Sequence, residues 1–243
     1  MQIRRFHIPE IPAPEQCVAM PPEEARHAGK VLRLRRGDPL VLLDGAGALA
    51  EAVVEEVTEG RRPAIVCRVV TRQHVPEPGL RVRLYVAPPR GKTTALVLRA
   101  AVELGVWQIS PILCQYGVAK PDAGKASWQG ELVTAMKQSG NPFLPALDAP
   151  HSFKEALAAA VEPGVFGAVP RDAAGEFGEL PTTGELGLWI GPEGGFSPDE
   201  EDALYGRGFA PVTVGNWILR VETAVPALVG HLVARAAREA GRQ

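Results

Sequence analysis

The fold of the longer part of this chain is decided by the stretch LWIGPEGGF at residues 188–196. An apolar run ends there in a loop with three glycines. The next four residues, Ser197–Glu200, place serine at the N-cap, proline at N1 and glutamate at N3, which is a complete capping box for a helix. Glycines after a strand let the backbone approach a ligand closely, because they carry no Cβ. We therefore expect a binding site in an α/β domain at this point.

The charge around this loop limits the kind of ligand. Neither of the usual phosphate-binding glycine spacings is present, and four acidic residues would repel phosphate: Glu193, Asp199, Glu200 and Glu201. A neutral or cationic ligand suits the loop better. A plain tight turn before a capped helix is the alternative interpretation.

A second loop shares these features. The stretch VTVGNWILRVETA at residues 212–224 places Arg220 and Glu222 between a predicted strand and a predicted helix. They are either a guanidinium and a carboxylate at the mouth of a site, or a buried ion pair that fixes the loop. Thr223 is a candidate cap for the helix that follows.

Outward from these loops, residues 81–243 alternate between strands and helices, which predicts an α/β domain with a mostly parallel sheet. The strands are expected at Arg81–Ala87, Trp107–Leu113, Val165–Val169, Glu185–Ile190 and Pro211–Val214. The helices are expected at Thr93–Leu104, Trp128–Ser139, Ser152–Val161, Pro198–Arg207 and Ala224–Ala240.

Residues 1–72 have a different rhythm, with short β-rich segments and one short helix, and they predict a small β-barrel domain. The strands are expected at Val31–Leu34, Pro39–Leu43, Leu49–Val57 and Ala64–Val70, and the helix at Pro21–Lys30. Residues 73–80, with two prolines and a glycine, have no periodicity and read as a linker.

Composition agrees with two folded domains. The chain has 243 residues, of which 46% are hydrophobic and 22% charged, and these values exclude disorder and coiled coil. No apolar run approaches the roughly 20 residues of a membrane-spanning helix, and Met1–Glu10 lacks a signal-peptide core. Three scattered cysteines argue for the cytoplasm and against structural zinc or a disulfide framework.

The net charge is −2, but one segment is strongly basic. Within Arg26–Arg36 there are five basic residues and a histidine, and no acidic residue. This basic cluster is either a phosphate-binding strip or a solvated face. Its members are Arg26, His27, Lys30, Arg33, Arg35 and Arg36.

The two loops together resemble one family. GPEGGF at 191–196 followed by ILRVETA at 218–224 resembles the signature of the bacterial 16S ribosomal RNA uridine N3-methyltransferases. Further matches follow in order along nearly the whole chain: Arg5-Phe6, His27, Val31–Leu34, Gly37-Asp38, Asp44-Gly45, Glu103–Val106 and Gln138–Gly140.

The resemblance implies the SPOUT class, whose trefoil-knotted α/β domain binds S-adenosylmethionine without a metal, and whose members are homodimers. It also implies an N-terminal RNA-binding domain similar to PUA modules. The loop after Val169 and the two glycine-containing loops would then converge on one pocket. The cofactor-binding residues implied are Val169, Pro170, Ile190, Gly191, Pro192, Glu193, Gly194, Gly195, Val214, Gly215, Ile218, Leu219, Arg220, Thr223 and Ala224.

The substrate implied is a uridine of 16S ribosomal RNA within the small subunit. Negative charge falls on the uracil carbonyls as N3–H is lost, and Arg220 is the cation we expect to stabilise it. Glu222 and Glu193 both remain candidates for the proton acceptor. The RNA-binding residues expected are Arg5, Arg26, His27, Lys30, Arg33, Arg35, Arg36 and Lys92.

The chain departs from this family at three places, all of which bear on RNA contacts. Asn141 stands where the family usually has arginine, Lys137 where it has glutamate, and Gln115-Tyr116 where a Glu-Arg segment often follows the strand. Two other functions remain open. One is a SPOUT methyltransferase acting on another base or a ribose 2′-hydroxyl, and the other is a non-enzymatic RNA-binding or assembly factor.

Overall fold

A computed structural model describes residues 4–58, 60, 63–118, 125–169 and 180–241, which form two units. The first unit contains the chain up to Glu77 together with Met136–Leu144. The second contains Pro78–Ala135 and the chain from Pro145 onward. The sequence predicted two contiguous domains, residues 1–72 and 81–243, so the return of Met136–Leu144 to the first unit was not expected. The last strand of the first unit also extends through His74, into the expected linker.

The first unit is built on one five-stranded sheet with the order β1-β3-β4-β5-β2. Its pairs are antiparallel except β1 with β3. Alternating residues of β4 are buried, so one face of the sheet covers an apolar core that includes Phe6 and Leu42. The elements are β1 (Arg5–His7), β2 (Cys17–Ala19), α1 (Pro22–Arg26), a π-helical turn (His27–Val31), β3 (Pro39–Leu43), β4 (Ala48–Thr58) and β5 (Ala64–His74).

The prediction of a strand at Val31–Leu34 was wrong. The amide of Leu32 bonds to the carbonyl of His27 at 3.1 Å, and that of Leu34 bonds to the carbonyl of Ala28 at 3.0 Å. The first of these bonds closes the π-helical turn that follows α1, and the second holds the loop after it. Leu34 reaches the core from a loop, so its apolar character did not require a strand.

The returning segment Met136–Leu144 ends the helix that carries Lys137. Gly140 has φ +80° and its amide bonds to the carbonyl of Met136 at 2.9 Å, which is a glycine helix end. Arg5 donates from its guanidinium to the carbonyl oxygens of Lys137 and Gln138, at 3.4 and 3.1 Å. The QSG motif at 138–140 is therefore a helix end held by Arg5.

The second unit contains a sheet with the order β12-β10-β11-β6-β7-β8, and every pair in it is parallel. A further short strand, β9, also pairs in parallel with β7. The five strands and five helices expected beyond residue 80 are present, and β8 and β9 are additional. The elements are β6 (Leu80–Val86), α2 (Thr93–Glu103), β7 (Gln108–Leu113), α3 (Lys125–Ser139), β8 (Ala146–Leu147), β9 (His151–Ser152), α4 (Phe153–Ala158), β10 (Gly164–Gly167), β11 (Gly184–Ile190), α5 (Pro198–Gly206), β12 (Ala210–Val212) and α6 (Val221–Ala240).

The central strand β11 is buried continuously from Leu186 to Ile190, as expected for a parallel strand covered on both faces. Trp189 lies in the core, where its ring stacks on Tyr85 with centroids 4.2 Å apart. The α/β class is therefore confirmed. The knot implied by the resemblance stays a prediction. Across the described ranges, no helix is both long and apolar enough to cross a membrane.

Candidate functional site

Three chain segments of the second unit meet at a pocket with about 630 Å³ of open space. They are the exit of β10, the loop after β11, and the loop between β12 and α6. All three leave the carboxyl ends of parallel strands, where α/β sheets bind their ligands. Two of the three segments expected to converge, the loop after β11 and the loop between β12 and α6, line this pocket. The loop after Val169 lies outside the described residues, and only Gly167–Val169 before it are seen in the lining.

The loop after β11 is shaped by two glycines that line the pocket. A Cβ on Gly191 would lie 3.2 Å from the ring and the backbone nitrogen of Phe196, so a side chain there would require Phe196 to shift. Gly195 has φ +76°, and open space lies where its Cβ would be. Its amide bonds to the carbonyl of Pro192 at 2.8 Å, closing a tight turn. This bare backbone fits a nucleoside held by main-chain groups.

The capping box predicted for the next helix is confirmed. The Ser197 hydroxyl accepts from the Glu200 amide at 3.3 Å, and the Glu200 carboxylate accepts from the Ser197 amide at 2.9 Å. The other carboxylate oxygen of Glu200 accepts from the amide of Gln115, also at 2.9 Å. The buried Glu200 therefore connects the glycine loop to the turn after β7.

The loop between β12 and α6 is much more open. Trp217 and Ile218 line the pocket, yet they are 81% and 71% exposed. Behind them, Val221, Ala224 and Leu228 of α6 form an apolar wall of the pocket.

Most of the predicted cofactor residues line the pocket, but four do not. Gly215, Arg220 and Thr223 lie outside the lining, and Gly194 packs against Tyr116 instead. Pro170 lies outside the described residues. The predicted residues that line the pocket are Val169, Ile190, Gly191, Pro192, Glu193, Gly195, Val214, Ile218, Leu219 and Ala224.

Several residues that line the pocket carry no signal in the motifs quoted above. Val221 and Leu228 share a helix face with Ala224, so helical spacing alone would have found them. Gly167 and Ala168 follow a strand whose exit carries no glycine-rich motif, so no local signal identified them. The missed residues are Gly167, Ala168, Val212, Thr213, Trp217, Val221 and Leu228.

The alternative of a buried Arg220–Glu222 ion pair is wrong. Arg220 is exposed at the N-cap of α6 and Glu222 is half-buried in the first turn. Both residues belong to the described part of the chain, and no ion pair joins them there. The carbonyl of Arg220 accepts from the amides of Thr223 and Ala224, at 2.9 and 2.7 Å. Thr223 is therefore within the helix, and the prediction that it caps α6 was wrong.

Within the first unit, the six side chains of the basic cluster do not share one environment. Arg26, His27, Lys30, Arg33 and Arg35 are exposed, and no ion pair of the described chain engages them. Arg36 is exposed as well, but it pairs with Glu55 at 2.8 Å. Together with Arg68 it lowers the pKa of that carboxyl. Lys92, in the second unit, is exposed at the N-cap of α2.

Arg5 and the two departures Lys137 and Asn141 have structural partners. Arg5 is half-buried against the end of α3, a position that does not favour the RNA contact predicted for it. Lys137 pairs with the buried Glu24 at 2.6 Å. The Asn141 side-chain oxygen accepts from the amide of Phe143 at 3.0 Å. In the first unit these residues stabilise the returning segment.

Among the described side chains, no group of three or more histidine, cysteine, aspartate or glutamate residues is placed to hold a metal ion. The pocket is lined by apolar side chains and backbone, with Glu193 as its one charged lining residue among those described.

Two family models match this chain. Residues 76–233 match an RNA methyltransferase domain, and residues 21–61 match an RNA methyltransferase PUA domain. The parallel sheet with its pocket and the small β-rich unit therefore define an RNA methyltransferase with a PUA domain.

Particular relatives narrow this class. The chain is 30% identical to the ribosomal RNA small subunit methyltransferase E of Mycobacterium bovis, covering 93% of this chain and 89% of that protein. It is 31% identical to the enzyme of the same name from Synechocystis, covering 87% and 72%. A crystal structure of the Neisseria gonorrhoeae enzyme bound to S-adenosyl methionine has a TM-score of 0.85, with 26% identity and coverage of 96% and 98%. The chain belongs to the ribosomal RNA small subunit methyltransferase E family.

Proposed function

We propose that this protein transfers a methyl group from S-adenosylmethionine to N3 of a uridine in the 16S ribosomal RNA of the small subunit. The observation that carries the proposal is the convergence of the GPEGGF loop and the Ile218–Ala224 segment on one pocket. Membership of the family supports the choice of cofactor and of RNA. The cofactor supplies an electrophilic methyl group on a positively charged sulfur.

The pocket residues suit this cofactor. Main-chain groups of Gly191 and Gly195 would hold the adenosine, and Ile190, Ile218 and Leu219 would enclose its adenine ring. The Glu193 carboxylate is exposed at the pocket, where a negative charge favours a cationic ligand.

The chemical task of the protein is to prepare the uracil. N3 lies on the pairing edge, so the base must leave its pair before it reaches the pocket. As N3–H is lost, negative charge spreads over the O2 and O4 carbonyls. Arg220 is next in the chain to the lining residue Leu219, and its guanidinium forms no ion pair with Glu222. That guanidinium is therefore available to stabilise the charge on the uracil. Glu193 and Glu222 are the candidates to accept the proton.

The basic cluster would bind RNA phosphates in the cytoplasm. Replacing Arg33 and Arg35 with alanine should weaken RNA binding and reduce the salt slope by about 0.7 to 0.9 per lost contact. Arg36→Ala should have a smaller effect, because Glu55 already occupies that guanidinium. Salt slopes equal to that of the wild type for all variants would make the cluster a solvated face.

The protein would act as a homodimer. Trp217 and Ile218 are exposed beside the pocket, and a second copy would remove such apolar surface from water. Sedimentation of the purified protein measures its oligomeric state, and a monomer at micromolar concentration would contradict this part of the proposal.

Mass spectrometry tests the reaction directly. Small subunits are isolated from cells that lack this gene, incubated with the pure protein and S-adenosylmethionine, and their 16S RNA is digested and sequenced by mass. One new N3-methyluridine is expected. A methyl group on a ribose or on another base would favour another SPOUT activity. Calorimetry that detects no cofactor binding would favour the non-enzymatic RNA-binding factor.

A further inference from the structure

Tyr116 is an exposed aromatic residue beside the glycine-rich loop. It lies in the turn after β7, and its side chain is packed over the backbone of Gly194: a Cβ on Gly194 would be 3.2 Å from the Cβ of Tyr116 and 3.7 Å from the first ring carbon. Gly194 stands between Glu193 and Gly195, which both line the pocket. Tyr116 is nevertheless 46% exposed. An aromatic ring is thus presented to solvent next to the predicted reaction site.

The turn that carries Tyr116 is fixed from within the protein. The side chain of Glu200 is buried, with 8% relative exposure. Its carboxylate accepts hydrogen bonds from the amides of Gln115 and Ser197, at 2.9 Å each. The turn itself is closed by the amide of Gly117, which bonds to the carbonyl of Cys114 at 2.9 Å. Because one carboxylate holds both loops, the position of the Tyr116 backbone is set relative to the glycine-rich loop.

An exposed ring in this position matches the chemistry of an unpaired base. Proteins that bind single-stranded or extruded bases stack them on aromatic side chains, because every base presents a flat π-face. A tyrosine offers a base a flat face for stacking and no positively charged group. Among the described residues the Tyr116 hydroxyl makes no hydrogen bond, so the contact it offers is its ring face.

We propose that Tyr116 is the surface on which the extruded uracil stacks when it enters the pocket, and Glu200 the positioning residue that holds it there. This inference rests on the proposed function and specifies how this chain recognises its target base.

The test compares three variants in steady-state methylation of small subunits that lack the modification. Tyr116→Ala removes the ring, and Tyr116→Phe keeps the ring and removes the hydroxyl. Tyr205→Ala removes a tyrosine of the same unit and similar exposure that does not contact the glycine-rich loop, and its melting temperature is measured because its ring packs edge-on against Phe166. We expect kcat/KM for the subunit to fall by roughly 10- to 100-fold in Tyr116→Ala, which is typical for a lost base-stacking contact. Tyr116→Phe and Tyr205→Ala should stay close to the wild type.

Calorimetric Kd values for S-adenosylmethionine and melting temperatures are measured on the same proteins and should be unchanged in Tyr116→Ala. A photo-crosslink from 5-iodouridine at the methylated position should map to Tyr116. Equal losses in Tyr116→Ala and Tyr116→Phe, or a weakened Kd for the cofactor, would overturn the stacking role. If the wild-type protein binds the cofactor and leaves the subunits unmethylated, the proposed function fails and this inference fails with it. If the wild type methylates them and Tyr116→Ala does so equally well, only the inference fails.

Discussion

Two of the three segments that line the pocket are held in opposite ways. The GPEGGF loop is bound to the core of its unit: Pro192 and Phe196 are buried, and the ring of Phe196 packs edge-on against Phe153 and Phe166. In the loop from Thr213 to Arg220, the four residues from Gly215 to Ile218 are all exposed. The protein thus builds one wall of its site with its own core and leaves the other wall open.

The difference shows where binding energy is used. Each large apolar side chain removed from water contributes roughly 1.5 to 3 kcal/mol. In the GPEGGF loop, Pro192 and Phe196 are buried when the protein folds, so this wall of the pocket is formed before any ligand binds. In the second loop, Trp217 and Ile218 can make it only when a ligand, RNA or second copy covers them. The first loop therefore sets the shape of the site, and we expect the second to become buried only when something binds.

The largest expected effect on activity is that of replacing Arg220, the last residue of the open loop, because its guanidinium is proposed to stabilise the negative charge on the uracil. Arg220→Ala should lower the single-turnover rate of methylation by about two to three powers of ten, as for the loss of one charge-stabilising donor. The melting temperature should be unchanged, since the exposed guanidinium pairs with no acid of the described chain. Arg220→Lys should recover part of the rate, because it keeps the charge and loses the planar fork.

Glu222→Gln is the control for the Arg220 variants. If Arg220 and Glu222 stabilised the loop together, both variants would lower the melting temperature. A large loss of stability in Arg220→Ala with a normal residual rate would contradict the catalytic role.

Gly195 and Gly215 compare the two loops directly. Both have positive φ, +76° and +73°, and in both cases a Cβ would meet nothing within 4 Å. Valine at either position should therefore cost a similar amount of stability, about 1 to 2 kcal/mol. Only Gly195 lines the pocket, so only Gly195→Val should also lose S-adenosylmethionine binding in a calorimetric titration. Equal cofactor affinities in the two folded variants would show that the backbone at Gly195 does not contact the cofactor.

Trp217 should report on the open loop. Acrylamide should quench its fluorescence more than that of Trp189, which is fully buried. Adding S-adenosylmethionine should reduce the quenching, because the bound ligand shields the ring at the pocket. Trp217→Phe should remove this change. Identical quenching with and without the cofactor would mean that the open loop does not respond to it.

Cysteine labelling gives the smallest effect and probes the packed loop. Burial raises the pKa of Cys67 to about 12 and raises the pKa of Cys114 further, so neither forms thiolate at pH 8. Iodoacetamide should label the exposed Cys17 in the native protein and all three thiols after denaturation. Cys114 packs in the same core as Phe196. Rapid native labelling of Cys114, followed by mass spectrometry, would show that this core opens.

Local sequence identified the elements because their signals are local. The strand, the glycines and the capping box of residues 188–200 lie within one short stretch, and each has a conformational cause that does not depend on distant residues. The same is true of the alternating strands β4 and β5. Val31–Leu34 was misread because an apolar residue can reach a core from a loop as well as from a strand.

The sequence by itself determined the two kinds of domain, the parallel sheet and the two loops that carry the site. Tertiary structure alone decided which residues share it. Gly167 and Leu228 meet the glycine-rich loop only because their strand and helix pack beside β11, and the return of Met136–Leu144 to the first unit depends on Arg5, more than 130 positions away in sequence. Local sequence constrains each residue's backbone, but a pocket and a long-range hydrogen bond require groups that are distant in the chain, and packing determines which of them meet.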